Sequence, residues 1–240
     1  MKNKYLILIP TYNEKKNIKL ILKKIKKNFK QKHDILFVDD NSIDGTKEII
    51  NNLKLKHIKV INRKKKLGVG SAHKVGITYG YKKKYSFIIT MDCDGTHDPK
   101  YIKKILEASK QNDLVITNRF RSKNSLSNWN FYRKFITTFR YKFIKLLFNI
   151  ELDSSGAFRC YNTKNIKVGD ILLAKNASYS FFTESIIFLV IKKYKIFELP
   201  VILPKRFSGS SKMKLSDLVD GFLYTLFIFL KIKFFKNFKS

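Results

Sequence analysis

The sequence predicts a mostly parallel, doubly wound α/β sheet followed by an amphipathic C-terminal helix. Two patterns in the first 120 residues point to it. Short apolar runs suited to buried strands alternate with segments of helical periodicity, and polar clusters stand directly after three of the runs. A third observation is the change after Trp129, where an aromatic and basic segment replaces the alternation. In open sheets of this kind ligands bind beyond the carboxyl ends of the strands. The clusters Thr11-Tyr12-Asn13-Glu14, Asp39-Asp40 and Asp92-Cys93-Asp94 therefore mark the candidate site.

The elements follow in order. Tyr5 to Ile9 is the first apolar run, closed by Pro10, and Ile18, Ile21, Leu22, Ile25 and Phe29 then recur at helical spacing. Ile35 to Val38 is the second strand, and Thr46 can cap a helix carrying Ile49, Ile50 and Leu53. Ile58 to Ile61 is the third, after which KKKLGVGSAH leads into a helix through Tyr79. Phe87 to Met91 is the fourth strand. Asp98-Pro99 starts a helix with Ile102, Ile105 and Leu106 on one face, and Leu114 to Thr117 is the fifth strand. Between Trp129 and Phe148 a helical stripe holds Tyr132, Phe135, Ile136, Phe139, Phe143, Leu146 and Leu147, with Arg133 and Arg140 at its edge. Ala157 to Tyr161 is strand-like, Phe181 to Val190 is helical and carries Glu184, and Ile196 to Leu203 is extended. A final helix runs from Leu215 to about Phe235. There is no internal repeat and no linker between independent domains, so one domain over 1–214 with a helical appendage over 215–240 is expected.

Composition limits the partners. Lys and Arg number 50 against 18 Asp and Glu, a net charge of +32, which implies an anionic partner: nucleic acid, a phospholipid surface or a phosphorylated substrate. An A/T-rich coding sequence also yields abundant Lys, Asn, Ile and Phe, so the scarcer arginines are the more informative cations. Two cysteines make no disulfide framework, and no CxxC is present for zinc. The N-terminal MKNKYLILIP is too short for a signal peptide. Leu218 to Leu230, interrupted by Asp220 and followed by Lys231, Lys233 and Lys236, falls short of the roughly 20 apolar residues of a bilayer span. It suits an interfacial helix or contact with a membrane-protein partner.

The densest chemistry is at Asp92 and Asp94. Residues i and i+2 of an extended chain face the same way, so both carboxylates reach one point beyond the strand, where a divalent cation would hold them together. The plainer role, capping the next helix, belongs to the better-placed Asp98. A dinucleotide fingerprint after Gly68-Val69-Gly70 would need Gly at position 73, which is His73, and no phosphate-cradling G-x-x-x-x-G-K-[ST] occurs. What remains is a metal-bridged diphosphate beside a pocket for a base or sugar.

Read together, IPTYNE (9–14), VDDNSIDGT (38–46), KLGVGSAH (66–73) and MDCDGTHDP (91–99) resemble the successive signatures of family-2 glycosyltransferases with the GT-A fold. More narrowly they are similar to dolichyl- or polyprenyl-phosphate mannose synthases. TNRF (117–120), NWNFYRK (128–134), SSGAFRCY (154–161) and PKRFSGSSK (204–212) continue the likeness in order and spacing.

The resemblance implies an inverting transfer of a sugar, with mannose from GDP-mannose as the leading donor, onto a polyprenyl or dolichyl phosphate. The expected setting is peripheral, on the cytoplasmic side of a membrane. It implies that Pro10, Tyr12, Glu14 and Asp39, with Asp40 and Gly68, line the nucleotide-sugar site. Asp92 and Asp94 would bracket the diphosphate through Mg²⁺ or Mn²⁺, with Thr96 offering a hydroxyl. Arg119, Arg133, Arg206 and Lys212 match phosphate-binding cations, the first two facing the acceptor. Arg neutralises two approaching anions with fixed geometry, and an already ionised phosphate monoester needs no general base. The alternatives are a relative using UDP-glucose, UDP-N-acetylglucosamine or a saccharide hydroxyl, and a non-catalytic basic binding protein. Nucleic acid is not expected, because strand-end carboxylates repel phosphates unless a cation intervenes.

Overall fold

β1 (Tyr5–Thr11), β2 (His33–Asp39), β3 (Ile58–Asn62) and β4 (Phe87–Thr90) lie parallel, with β1 paired to both β2 and β4. β5 (Leu114–Asn118) pairs in parallel with β7 (Ile196–Pro200). Between these groups β6 (Arg159–Asn162) is antiparallel to both β4 and β5, so the sheet order is β3-β2-β1-β4-β6-β5-β7. This is a computed structural model, and it describes residues 3–123, 125, 126, 129, 131–209, 212 and 215–234. Parts of the stretches quoted above, at residues 128, 130, 210 and 211 and beyond 234, lie outside these.

Strands buried on both faces read as continuous apolar runs, and β4 and β5 are buried along their whole length. Alternate side chains feed two cores. On one face Leu6, Leu8, Leu36, Val38 and Ile88 pack with α3 (Val69–Lys82) and α7 (Ser180–Ile191). On the other, Ile7, Ile9, Ile35, Phe37 and Ile89 pack with α1 (Ile18–Asn28) and α4 (Ile102–Ser109). Close approach of α3 to the sheet depends on Gly76, where a Cβ would lie 2.2 Å from Leu8 Cδ1. α7 is buried from Ser180 to Leu189, as a helix apolar on all sides must be.

The last pair of helices is different. α5 (Phe131–Phe148) and α8 (Leu215–Phe234) pack on each other through Phe139 and Phe143 against Phe222, and Phe148 against Phe229. Tyr224 Oη donates to Glu184 Oε1 at 2.9 Å and fastens α8 to α7, so Glu184 is a core partner. The outer faces leave Phe131, Tyr132, Phe135, Leu223, Phe227 and Phe234 exposed.

Some boundaries depart from expectation. β1 runs on through Pro10 and Thr11 because β2 continues to pair with it there. β7 stops at Pro200. Thr46 is not the cap of α2 (Thr46–Asn52). Gly45, with φ of 91°, holds the capping position, while the buried Thr46 hydroxyl donates to Asp44 and accepts from the Glu14 N–H. The short α6 (Val168–Ile171) was not foreseen.

Candidate active site

The carboxyl ends of β1, β2 and β4 bring the three polar clusters together. Asp39 is buried and accepts from Thr11 Oγ1 at 2.9 Å, Ser42 N at 2.9 Å and Ser42 Oγ at 2.6 Å, joining the ends of β1 and β2. Asp40 accepts the Leu67 and Gly68 N–H groups at 2.8 and 2.9 Å and pairs with Arg63 at 3.3 Å. Gly68, at φ of 93°, lets the turn before α3 pass the 177 backbone, since a Cβ would meet Ala177 O at 2.4 Å. These three residues fix the backbone at the ends of β1 and β2 and in the turn before α3.

Asp92 and Asp94 follow β4 in contrasting surroundings. Asp94 accepts from Thr96 N at 2.9 Å and Thr96 Oγ1 at 2.6 Å, and its other oxygen pairs with Arg206 Nη1 at 2.6 Å. Burial alone would raise its carboxyl, but the Arg206 charge and the Thr96 hydrogen bonds hold it below the usual range. Asp92 has no Lys or Arg at ion-pair distance among the described residues. His97 Nδ1 accepts the Asp92 N–H at 2.9 Å, which spends the ring lone pair and leaves the 3.7 Å approach to Asp92 Oδ2 no more than a contact. The Asp92 side chain is 40% exposed. Burial, with the Asp94 charge beside it, raises its carboxyl above the usual range.

Arg206, Phe207, Ser208 and Lys212 lie against these strand ends. Phe207 N donates to Asp94 O at 2.8 Å, and Ser208 Oγ donates to Asn17 Oδ1 at 2.9 Å. Lys212 Nζ donates to the Tyr12 and Asn13 carbonyls and to Glu14. The Tyr12 ring also carries Lys66 over its face, 4.2 Å from the centroid. Pro10 is the penultimate residue of β1 and aligns the segment that bears Tyr12 and Glu14.

The second half of the cleft is cationic. Arg119 follows β5 and grips Asp153 three times, through N at 3.0 Å, Nε at 2.9 Å and Nη2 at 2.7 Å, while Nη2 also reaches Ser155 Oγ at 2.6 Å. Burial opposes the Arg119 charge, and Asp153 more than offsets this and raises its pKa. The Asp153 N–H in turn donates to Glu198 Oε1 at 2.7 Å, and Arg121 pairs with Glu198 at 3.0 Å. Trp129 lies between two guanidinium groups, Arg133 at 3.7 Å and Arg119 at 5.7 Å from its ring centroid. Burial and the charges of Arg206 and Arg119 lower the Arg133 pKa, so this residue stands among cations between the two halves.

The structure thus gathers Asp92, Asp94, Thr96, Arg206, Lys212, Tyr12 and Glu14 at the strand ends and Arg119 and Arg133 around Trp129. Sequence reasoning missed Asp153 and Glu198. Asp153 opened a polar run before β6 with nothing to announce a partner 34 residues away.

Among the described residues no three His, Cys, Asp or Glu side chains converge as a metal cage. Two neighbouring carboxylates are nonetheless the protein share that Mg²⁺ commonly takes when substrate phosphates complete its shell. The unmatched Asp92 and the cation-paired Asp94 fit that donor set.

A sequence model described as Glycosyl transferase family 2 matches residues 6–168, and the chain belongs to this family. It is a glycosyltransferase. Among its relatives, polyprenol monophosphomannose synthase of Mycolicibacterium smegmatis is 29% identical over 221 residues, covering 90% of this chain and 83% of that protein. Undecaprenyl-phosphate mannosyltransferase of Micrococcus luteus is 29% identical over 211 residues, 87% of this chain and 86% of the relative. Among solved structures, glucosyl-3-phosphoglycerate synthase from Mycobacterium tuberculosis with Mn²⁺, UDP and phosphoglyceric acid superposes with a TM-score of 0.68 at 13% identity, covering 95% of this chain and 78% of that one. The same enzyme with Mg²⁺ and UDP gives 0.63, with 95% and 79% covered. The expected GT-A arrangement of a mostly parallel sheet with flanking helices stands.

Proposed function

We propose that this glycosyltransferase moves mannose from GDP-mannose onto the phosphate of a polyprenyl or dolichyl lipid at the cytoplasmic face of a membrane. One observation carries the choice of acceptor. The two buried carboxylates beside Arg119, Asp153 and Glu198, are both spent on guanidinium groups and backbone N–H donors. A hydroxyl acceptor needs a base there. A phosphate monoester, with a second pKa of about 6, is already an anionic nucleophile at neutral pH.

Arg119, fixed by Asp153, and Arg133, stacked on Trp129, would hold that phosphate in line with the anomeric carbon. Attack from the opposite face then inverts the centre as the nucleoside diphosphate leaves. Arg206 and Lys212 now lie on Asp94 and Glu14 and would transfer their charge to the departing diphosphate. Asp92 and Asp94, with the Thr96 hydroxyl next to them, would hold Mg²⁺ or Mn²⁺, which supplies Lewis-acid stabilisation of the leaving group. Tyr12 and Glu14, with Asp39, Asp40 and Gly68, would receive the base and ribose.

The named activities of the two relatives support mannose and a polyprenyl phosphate. The exposed aromatic faces of α5 and α8, with Lys231 and Lys233 at the end of α8, support a membrane surface. No described helix is long and apolar enough to cross a bilayer. The test is to incubate the purified chain and Mn²⁺ with polyprenyl phosphate or a free saccharide and, in turn, GDP-mannose, UDP-glucose and UDP-N-acetylglucosamine. Mannolipid from GDP-mannose is expected. Transfer only to a free saccharide hydroxyl would overturn the acceptor, and a glucolipid product would overturn the donor.

A further inference from the structure

We infer that Arg140 of α5 is a third guanidinium of the acceptor site, held by Thr183 of α7 so that its partly exposed guanidinium donates to an oxygen of a phosphate monoester dianion. The inference rests on the reading that a lipid phosphate is the acceptor, and it adds a binding residue that sets which anion is accepted.

Arg140 is an anomaly on physical grounds. Its Nη2 donates to Thr183 Oγ1 at 2.9 Å, and Thr183 is itself buried. Its Nε has no contact with solvent and no hydrogen-bond partner. Among the described residues no carboxylate stands at ion-pair distance from it. Arg140 is partly buried, and leaving its sealed Nε without a partner is costly. A ligand anion resolves the imbalance.

The place is right for that ligand. Positions 133 and 140 are seven residues apart on α5, two helical turns, and so share one face. Arg119 and Asp153 are the charged neighbours that Arg140 feels, and burial together with Arg119 lowers its pKa to about 10, which still leaves it protonated at neutral pH. Arg119, Arg133 and Arg140 outnumber Asp153 here, with Asp92, Asp94 and Arg206 acting on the first two from the other half. A further cation favours a phosphate monoester, which carries about −1.5 to −2 near pH 7. A phosphodiester carries only one charge and a hydroxyl none. Arg140 therefore favours the terminal phosphate of a lipid over either.

The chain has a single tryptophan, Trp129, stacked on Arg133, so its emission reports on this site. The experiment titrates Trp129 fluorescence with farnesyl phosphate and with its methyl diester, in wild type, Arg140→Met and Arg140→Lys. Thermal midpoints and the binding of GDP or UDP with Mn²⁺, whichever wild type takes, are measured alongside. Arg140→Met is expected to weaken farnesyl phosphate at least tenfold and the diester by less than threefold. Arg140→Lys should fall between. Nucleotide affinity should stay within twofold, and the Arg140→Met midpoint should be unchanged or raised, because a partly buried charge with an unpartnered Nε has been removed. Unchanged farnesyl phosphate affinity in Arg140→Met would overturn the assignment. So would loss of monophosphate and nucleotide binding together with a lowered midpoint, which is what a purely structural side chain gives. A wild type that does not bind farnesyl phosphate defeats the acceptor reading itself, and the Arg140 role with it. Binding by wild type with an indifferent variant defeats Arg140 alone.

Discussion

Asp92 and Asp94 share a motif but not an environment. Arg206 and Thr96 satisfy Asp94, whereas Asp92 faces the cleft with its charge unmatched. Losing Asp94 should therefore do two things: remove one of two carboxylates from the diphosphate site and take from Arg206 the ion pair at 2.6 Å. Asp94→Asn is expected to lower the transfer rate by at least 100-fold with an unchanged circular dichroism spectrum, read in the lipid-phosphate assay. A fall of less than tenfold would show that the pair does not hold the leaving group. These two acids were legible in the sequence because strand periodicity aims i and i+2 the same way. Asp153 was not, since its significance lies in a guanidinium brought to it by a different strand. Arg140 was visible only as the edge of an aromatic stripe, and its lack of a carboxylate at ion-pair distance among the described residues is a property of packing, which no local pattern encodes.

At the scale of elements, α3 shows how a helix can be both tightly seated and acid-sensitive. Gly76 and Gly80 bring it against Leu8 and Ile88 of the sheet, and the same inward face carries His73. His73 Nδ1 lies 2.9 Å from Val69 O, an acceptor, so Nδ1 bears the proton and Nε2 is a buried, unpartnered lone pair. Burial first, then the charge of Arg159 and the neighbouring His97, lowers its pKa to about 4. The unfolded chain binds this proton near pH 6.5, well before the folded one. The stability owed to the neutral ring is thus complete above pH 6.5 and is lost as pH falls towards 4, a difference of about 3 kcal/mol. His73→Phe, beside Phe181 and Phe182, should flatten the decline of the thermal midpoint between pH 7 and pH 4.5 relative to wild type. Parallel declines in the two proteins would rule the residue out. The parallel strands and most helices could be read from apolar runs and spacing. The antiparallel seat of β6 could not, because a four-residue strand says nothing about the direction of the neighbours it will meet.

Over the whole molecule, charge and apolar surface act on the same side of the argument. In the proposed membrane setting, an excess of 32 positive charges would draw the chain to an anionic surface, and the exposed rings of α5 and α8 would insert there. Leu223 and Phe227 point outwards and contribute little to the core. The double variant Leu223→Glu, Phe227→Glu is expected to reduce co-sedimentation with phosphatidylserine-containing vesicles several-fold at 0.15 M salt, where surface charges are screened beyond about 8 Å. Its melting temperature should be unchanged. Binding that survives the double change and disappears only in high salt would make the attraction purely coulombic.

The placement of β6 also bears on how the polypeptide matures on the ribosome. β4 and β5 are complete by residue 118, yet neither touches the other, and the slot between them waits for residues 159–162. At a strand spacing of about 4.8 Å that vacancy is close to 10 Å wide. Until some 40 further codons have been translated, a nascent chain carries three unpaired β edges, one of β4 and both of β5, because β7 is made later still. It is most exposed to misassembly, and to the attention of chaperones, in that interval.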